Sequence, residues 1–197
     1  PLYSSAASDV YKRQKILYAG LSNFPAWRLA HIATLAELTR ALPIAAAQFE
    51  HSLVHRAPEA DLFQACRALG LGMLTWSPLG GGMLTGKYRQ GEKGRAEGLG
   101  GRVFQAENSP QRTLILDTVL AIADELGATP GQVAIAWAGT HGSVPIIGPR
   151  SLAQATDNLG ALAISLSAEQ LERLDAVSAL GEATSARAAL AGGQVVA

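Results

Sequence analysis

A single cysteine, Cys66, in a chain of 197 residues leaves no partner for an internal disulfide. Its setting in the helical pattern DLFQACRALG marks it as a small core residue rather than a nucleophile. Charge is also scarce. Only 16% of residues are charged, and Lys+Arg and Asp+Glu balance at 16 each, so no field gathers nucleic acid or an anionic membrane surface. No apolar run is long enough to span a bilayer, and the start lacks the charged, apolar and small-residue series of a secretory signal. These absences predict a soluble cytoplasmic protein whose partners include neither nucleic acid nor membrane.

The first residues stand apart from the rest. Ser4 to Gln14 reads SSAASDVYKRQ, which resembles the in-frame translation of a sequencing transposase adaptor. Residues 1–14 are therefore set aside as adaptor-derived or disordered. The frame then opens at Lys15 inside an apolar strand pattern, KILYAGLSNF, and sequence upstream of it is expected to be missing.

From Lys15 short apolar runs alternate with segments of helical period, the signature of β/α units on a parallel sheet. KILYAGLSNF precedes a helix in PAWRLAHIATLAELTRAL, where Leu29, Ile32, Ala33 and Ala36 share a face. PIAAAQFEHSLV precedes a helix within APEADLFQACRALGL, and GLGMLTWSPLG is a third strand. A long glycine-rich stretch, GGGMLTGKYRQGEKGRAEGLGGR, then delays the next helix until near Ser109. That helix ends at Gly127, and Thr129 with Pro130 starts another. VPIIG reads as the fourth strand, followed by helices opened by Ser151 and by the capping pair Ser167 and Gln170. The domain spans 15–180, and residues 181–197 form an Ala/Gly-rich, weakly periodic tail. The pattern fits half of an eight-stranded barrel or a small open sheet.

In either fold, ligands collect at the carboxyl ends of parallel strands. Those ends carry Ser22 and Asn23, then Gln48, Glu50 and His51, then Trp76, Ser77 and Pro78, and finally Gly148. Amide and hydroxyl groups dominate, and these suit a carboxamide-bearing ring better than proton transfer. Trp76 offers a flat face for stacking, weighed against a plain core tryptophan. The glycines after it permit close approach of backbone amides to a pyrophosphate, with Lys87 as an electrostatic clamp. Gly81, Gly86 and Lys87 have P-loop spacing, but Tyr88 replaces the required Ser or Thr, which excludes a P-loop nucleotidase. Gly148, Arg150 and Ser151 stand at a helix start suited to an anion, and Gln154 and Asn158, four apart, share a helical face that reaches an adenosine. His51 and His55 leave a strand for a loop, so helical metal-ligand geometry is not expected, and His31 and His141 receive no role.

These residues give the chain a strong resemblance to the aldo/keto reductase family from Lys15 to about Leu180. GLSNF, AAAQFEHSLVHR, TWSPLGGGMLTGKY, TPGQVAIAW and VPIIGPRSLAQATDNLGAL occur in the family's order and spacing. The resemblance implies α/β architecture, the C-terminal half of a (β/α)8 TIM barrel, with these as strands five to eight and their helices. It implies NADP(H) across the barrel mouth and a small-molecule carbonyl substrate. Ser22, Asn23 and Gln48 then match the nicotinamide carboxamide positions, and Trp76 the stacking aromatic. Ser77, Leu79, Gly80 and Lys87 match the pyrophosphate loop, and Gly148, Arg150, Gln154 and Asn158 the grip on adenosine and its 2′-phosphate.

Two departures accompany the resemblance. Gln154 stands where some members carry an arginine for the 2′-phosphate, which shifts that task to Arg150. The family's catalytic Asp, Tyr, Lys and His belong to the first four strands, so none is assigned here. The expected protein is a reductase of aldehydes and ketones of which this chain is an inactive fragment prone to self-association. The alternatives are a non-catalytic NADP-binding relative, such as a redox-sensing channel subunit, and a phosphate-binding barrel isomerase or aldolase.

Overall fold

The computed structural model describes residues 16–90 and 106–180. The adaptor-like start, most of the glycine-rich stretch and the tail after Leu180 lie outside the described residues.

Four strands form one sheet: β1 (Ala19–Ser22), β2 (Ile44–Glu50), β3 (Gly72–Trp76) and β4 (Val144–Ile146). Their order in space is their order in the chain, and every neighbouring pair is parallel. A doubly wound open sheet reverses its strand order at a switch point. Here each strand lies beside the one before it, as in the wall of a β/α barrel.

The expected strands all form, but shorter than their apolar runs. Leu17 and Tyr18, read as part of the first strand, precede β1 and are 70% and 71% exposed. β2 stops at Glu50, because Ser52 and His55 exchange backbone bonds in a tight turn. That turn also removes any helical spacing between His51 and His55.

Helix α1 (Ala26–Leu38) follows Pro25 and buries Leu29 and Ala36, while Ile32 and Ala33 of the expected face are only half-buried. The next helix is broken. A 3₁₀ turn at Ala57–Ala60 precedes α2 (Leu62–Ala68), because Asp61 between them adopts φ −143° and ψ −46°. The glycine-rich stretch begins as two 3₁₀ turns, Gly80–Thr85 and Lys87–Gln90. α3 (Pro110–Leu126) is capped by Ser109, and Gly127 at φ +60° ends it in the left-handed conformation that favours glycine. α4 (Pro130–Thr140) opens on the Thr129/Gln132 capping box, α5 (Leu152–Leu159) on Ser151, and α6 (Ala168–Ser178) on the Ser167/Gln170 box.

Two apolar clusters hold these layers. One joins α3, α4 and α6 through Leu116, Val119, Ile122, Trp137 and Leu174, and takes in Met83 and Leu84 from the glycine-rich turn. The other fills the space between sheet and helices with Leu29, Ala47, Phe49, Phe63, Cys66 and Met73. Cys66 is fully buried, and burial pushes its thiol pKa up, so it is the inert core residue expected from sequence.

Strand alternation gives the sheet two unequal faces. Ala47, Phe49, Met73 and Thr75 point into the helix layer and are buried. The opposite face carries rows set by the register: Ser22, Gln48, Leu74 and Val144, then Glu50, Trp76 and Ile146. Val144 is 62% exposed on that face and Ile146 37%. Parallel sheets are ordinarily covered on both sides.

Candidate functional site

The strand ends on the open face are tied to one another. Asn23 adopts φ +58°, and its amide donates to the Gln48 carbonyl at 2.8 Å. The Asn23 Oδ1 accepts the Trp76 indole N–H at 3.0 Å. Beside them, the Ser22 hydroxyl donates to Gln48 Oε1 at 3.2 Å. Asn23, Gln48 and Trp76 therefore meet across three adjacent strands, as their matching positions at the strand ends require.

Trp76 is half-buried and lines a groove of about 550 Å³. This size suits a small organic ligand. Ser77, Leu79 and Lys87 from the segment after β3 line it together with Gly148, Arg150, Gln154 and Asn158 from the segment after β4. Eight of the twelve candidate residues read from sequence thus line one cavity. Ser22, Asn23 and Gln48 attach to it through the Trp76 indole rather than lining it. Gly80 stands outside the lining, with its amide already donated to the Ser77 carbonyl at 2.8 Å.

Gly81 and Gly82 line the groove instead, with φ of +66° and +96°. A Cβ on Gly82 would lie 3.2 Å from Lys87 Nζ, so this glycine makes room for the lysine beside the groove. The Tyr88 hydroxyl donates to the Gly81 carbonyl at 2.8 Å and closes the turn. The residue that breaks the P-loop pattern therefore has its own structural task.

Ser151 caps α5 by accepting the Gln154 amide, while Gln154 Oε1 turns back to accept the Arg150 amide at 2.8 Å. Gln154 and Asn158 do share the groove-facing side, but the Gln154 oxygen is engaged in ordering the helix start. The amides of Leu152 and Ala153, in the first turn, have no acceptor within the helix and add to the positive end of its dipole. Arg150 is exposed beside them.

Asp157 also lines the groove, a residue the sequence reading passed over. Its Oδ1 accepts from Thr129 Oγ1 at 3.1 Å and Gln132 Nε2 at 3.2 Å, which joins α5 to the start of α4. Lys87 and Arg150 outnumber this single, already bonded carboxylate, so the groove favours an anion. Pro78, Thr85, Ile146, Ile147 and Pro149 complete the lining; the proximity of Pro149 and Ile147 to Arg150 in sequence was the available signal.

His51, named at the second strand end, was given no site role. It is fully buried at the end of β2, where its Nε2–H donates to Glu59 Oε1 at 2.7 Å. Burial lowers its pKa, and the Glu59 bond offsets only part of that effect, so the ring is neutral. For Glu59, burial pushes the carboxyl pKa up, but bonds from His51 and Arg56 and the arginine charge outweigh it and hold the group at about 2. The period-two alternation of buried Ala47 and Phe49 continues to His51 and was the signal for its burial. Among the described residues no group of three or more His, Cys, Asp or Glu side chains can hold a metal.

A sequential parallel arc with its groove at the carboxyl ends of the strands defines a protein of the β/α-barrel class. The Aldo/keto reductase family matches residues 5–179, and the chain belongs to that family. It is 36% identical over 163 residues to the uncharacterized oxidoreductase YrpG of Bacillus subtilis (strain 168), covering 82% of this chain and 48% of that protein. It is 33% identical over 176 residues to the probable aldo-keto reductase 1 of Glycine max, covering 88% and 49%. It is also 33% identical over 168 residues to the chloroplastic pyridoxal reductase of Arabidopsis thaliana, covering 85% and 45%. The chain spans about half the length of these curated relatives.

Proposed function

We propose that this chain is the cofactor-holding C-terminal arc of an NADPH-dependent reductase of aldehydes and ketones, strands five to eight of the barrel. One observation carries the reading: a single groove joins an indole held by Asn23 to a helix start flanked by Arg150. The donor set fits the cofactor. Neutral amide and hydroxyl groups surround Trp76, where a nicotinamide carboxamide needs hydrogen bonds without charge. Cations and free helix amides gather where phosphates need them.

Within this reading, Trp76 provides the stacking surface, and Ser22, Asn23 and Gln48 orient the carboxamide. Ser77, Leu79 and Gly80 shape the turn along the pyrophosphate, and Lys87 neutralises it. Gly148 allows close approach, Arg150 meets the 2′-phosphate, and Gln154 and Asn158 face the adenosine. When bound, the cofactor supplies the hydride that reduces a carbonyl carbon. The proton for the carbonyl oxygen must come from residues outside this chain, so the chain alone is expected to bind without turning over. The sheet face that the described residues leave partly open, at Val144 and Ile146, supports the half-barrel assignment, since parallel sheets are ordinarily covered on both sides. Self-association of the isolated chain follows from the same surface.

The test is fluorescence titration with NADPH and NADH. Binding of NADPH ahead of NADH, with the preference reduced about tenfold or more in Arg150→Met, supports the reading. Equal affinity for both cofactors, unchanged by that substitution, removes the assigned role of Arg150. Failure of wild type to bind either one removes the cofactor assignment itself.

A further inference from the structure

A half-buried ion-pair knot, anchored on the fully buried His51, has no role in the proposed reaction. Arg56 grips Glu59 with two parallel bonds, Nε to Oε1 and Nη2 to Oε2, both 2.7 Å. Its Nη1 reaches the C-terminal helix α6, donating to Ser178 Oγ at 2.8 Å and to the Asp175 carbonyl at 3.1 Å, and lying 3.0 Å from Asp175 Oδ1. The guanidinium sits over the Trp137 ring, 5.2 Å from its centroid. Glu59 Oε1 also accepts His51, whose ring stacks on Trp137 at 5.2 Å and 21°. His51 then leads back to the groove, because its backbone amide donates to the Trp76 carbonyl at 3.2 Å.

We propose that this knot is a positioning device for the cofactor platform, fixing Trp76 through the His51 backbone; the role rests on the reading of Trp76 given above. Holding α6 in place does not by itself require the knot. A partly exposed ion pair is a weak source of net stability, because solvent screens its attraction and desolvation offsets the remainder. What charged groups of fixed geometry supply is one particular arrangement. The arrangement at stake here is strained. Ser77, directly after Trp76, stands at φ +58°, and so does Asn23, the partner of its indole. Such backbone persists only where the surroundings over-determine it. The bond from His51 to the Trp76 carbonyl lies on the residue next to one of these positions. Arg56, Glu59 and His51 are thus positioning residues, acting on the cofactor through Trp76.

Arg56→Met tests this, since the methionine keeps the stem over Trp137 and removes the fork; Arg56→Lys restores the charge alone. Two readouts need no cofactor: the Trp76 indole N–H resonance, assigned by its loss in Trp76→Phe, and exchange of the His51 amide. In a folded Arg56→Met chain the His51 amide is expected to exchange about tenfold faster, with the indole resonance shifted and NADPH bound about tenfold more weakly. Arg56→Lys should recover part of each effect. A purely structural knot would lower the melting temperature and leave the indole resonance, the His51 amide and the NADPH affinity of the folded chain at wild-type values, which overturns the proposal. If Arg56→Met does not fold, Glu59→Gln, which preserves shape and removes one charge, is judged by the same readouts. Absence of NADPH binding in wild type sinks the functional reading alone, and the resonance and exchange rate still decide for or against the knot.

Discussion

His51 and Glu59 illustrate how one hydrogen bond divides two titrations. The shared contact at 2.7 Å favours a neutral imidazole donating to an ionised carboxylate. Burial keeps the His51 pKa below its ordinary 6.5, and Glu59 at about 2 lies below its ordinary 4.5. In both windows the unfolded chain takes up protons that the folded chain refuses, so stability is lost as pH falls. Melting temperatures recorded from pH 8 to pH 3 are expected to hold down to about 6.5, decline through the histidine window, and fall again below about 4.5. Glu59→Gln should flatten the lower step. Glu107 and Glu125 are also held low, by Arg89 and by Gln170 with Arg173, but these pairs are exposed and screened. An acid limb unchanged in Glu59→Gln would assign the loss to other carboxylates.

Secondary elements were legible where their ends carry chemistry. Ser109, Thr129, Ser151 and Ser167 each accept the backbone amide three residues on, and Gly127 takes the left-handed conformation its position demands. Ser167→Ala should therefore cost about 1 kcal/mol, read as a lowered urea midpoint with unchanged slope; no change would mean that packing alone holds the start of α6. The break at Asp61 was not legible, because Pro58, Glu59 and Asp61 all favour a helix start and only the turn at Ser52–His55 dictates where the chain re-enters. Ser22, Asn23, Gln48, Trp76 and Ser77 could be named because the strand ends carry distinctive polar or aromatic groups, Lys87, Arg150, Gln154 and Asn158 from the loop and helix chemistry, and Leu79 and Gly80 only from the family resemblance. The contacts that fix them could not. Arg56 lies 119 and 122 residues from its partners in α6, and no local period encodes such a separation. Gly80 was named for its place in a motif, whereas the structure spends its amide on Ser77 and presents Gly81 and Gly82 to the groove.

At the scale of the whole molecule, the sheet formed by the described residues has two edges, β1 and β4. Beside β1, Trp27 and Leu38 of α1 are 68% and 78% exposed; after β4, Leu152 and Leu162 are 84% and 87% exposed. Apolar flanks beside unpaired strands promote association. Sedimentation at tens of micromolar is expected to show species larger than one chain, and Ile146→Lys on the open sheet face should shift them toward the monomer. A wild-type chain that sediments as a monomer across that range would oppose the proposed self-association. No helix among the described residues is long and apolar enough to cross a membrane.

The nearest-neighbour order of the sheet also bears on how the chain emerges from the ribosome. β2 and β3 each follow the strand they pair with after one helical connection, so the ladder can extend in the order of synthesis. The last addition is delayed: Thr75 meets Ser143 across 68 residues, an interval of roughly 3 to 14 s at ordinary elongation rates. During that interval the free side of β3 and the Trp76 platform wait for α3 and α4 to be made. Translation speed across this interval, rather than the intrinsic pairing rate of strands, then sets how long the unfinished edge stays available to the wrong partner.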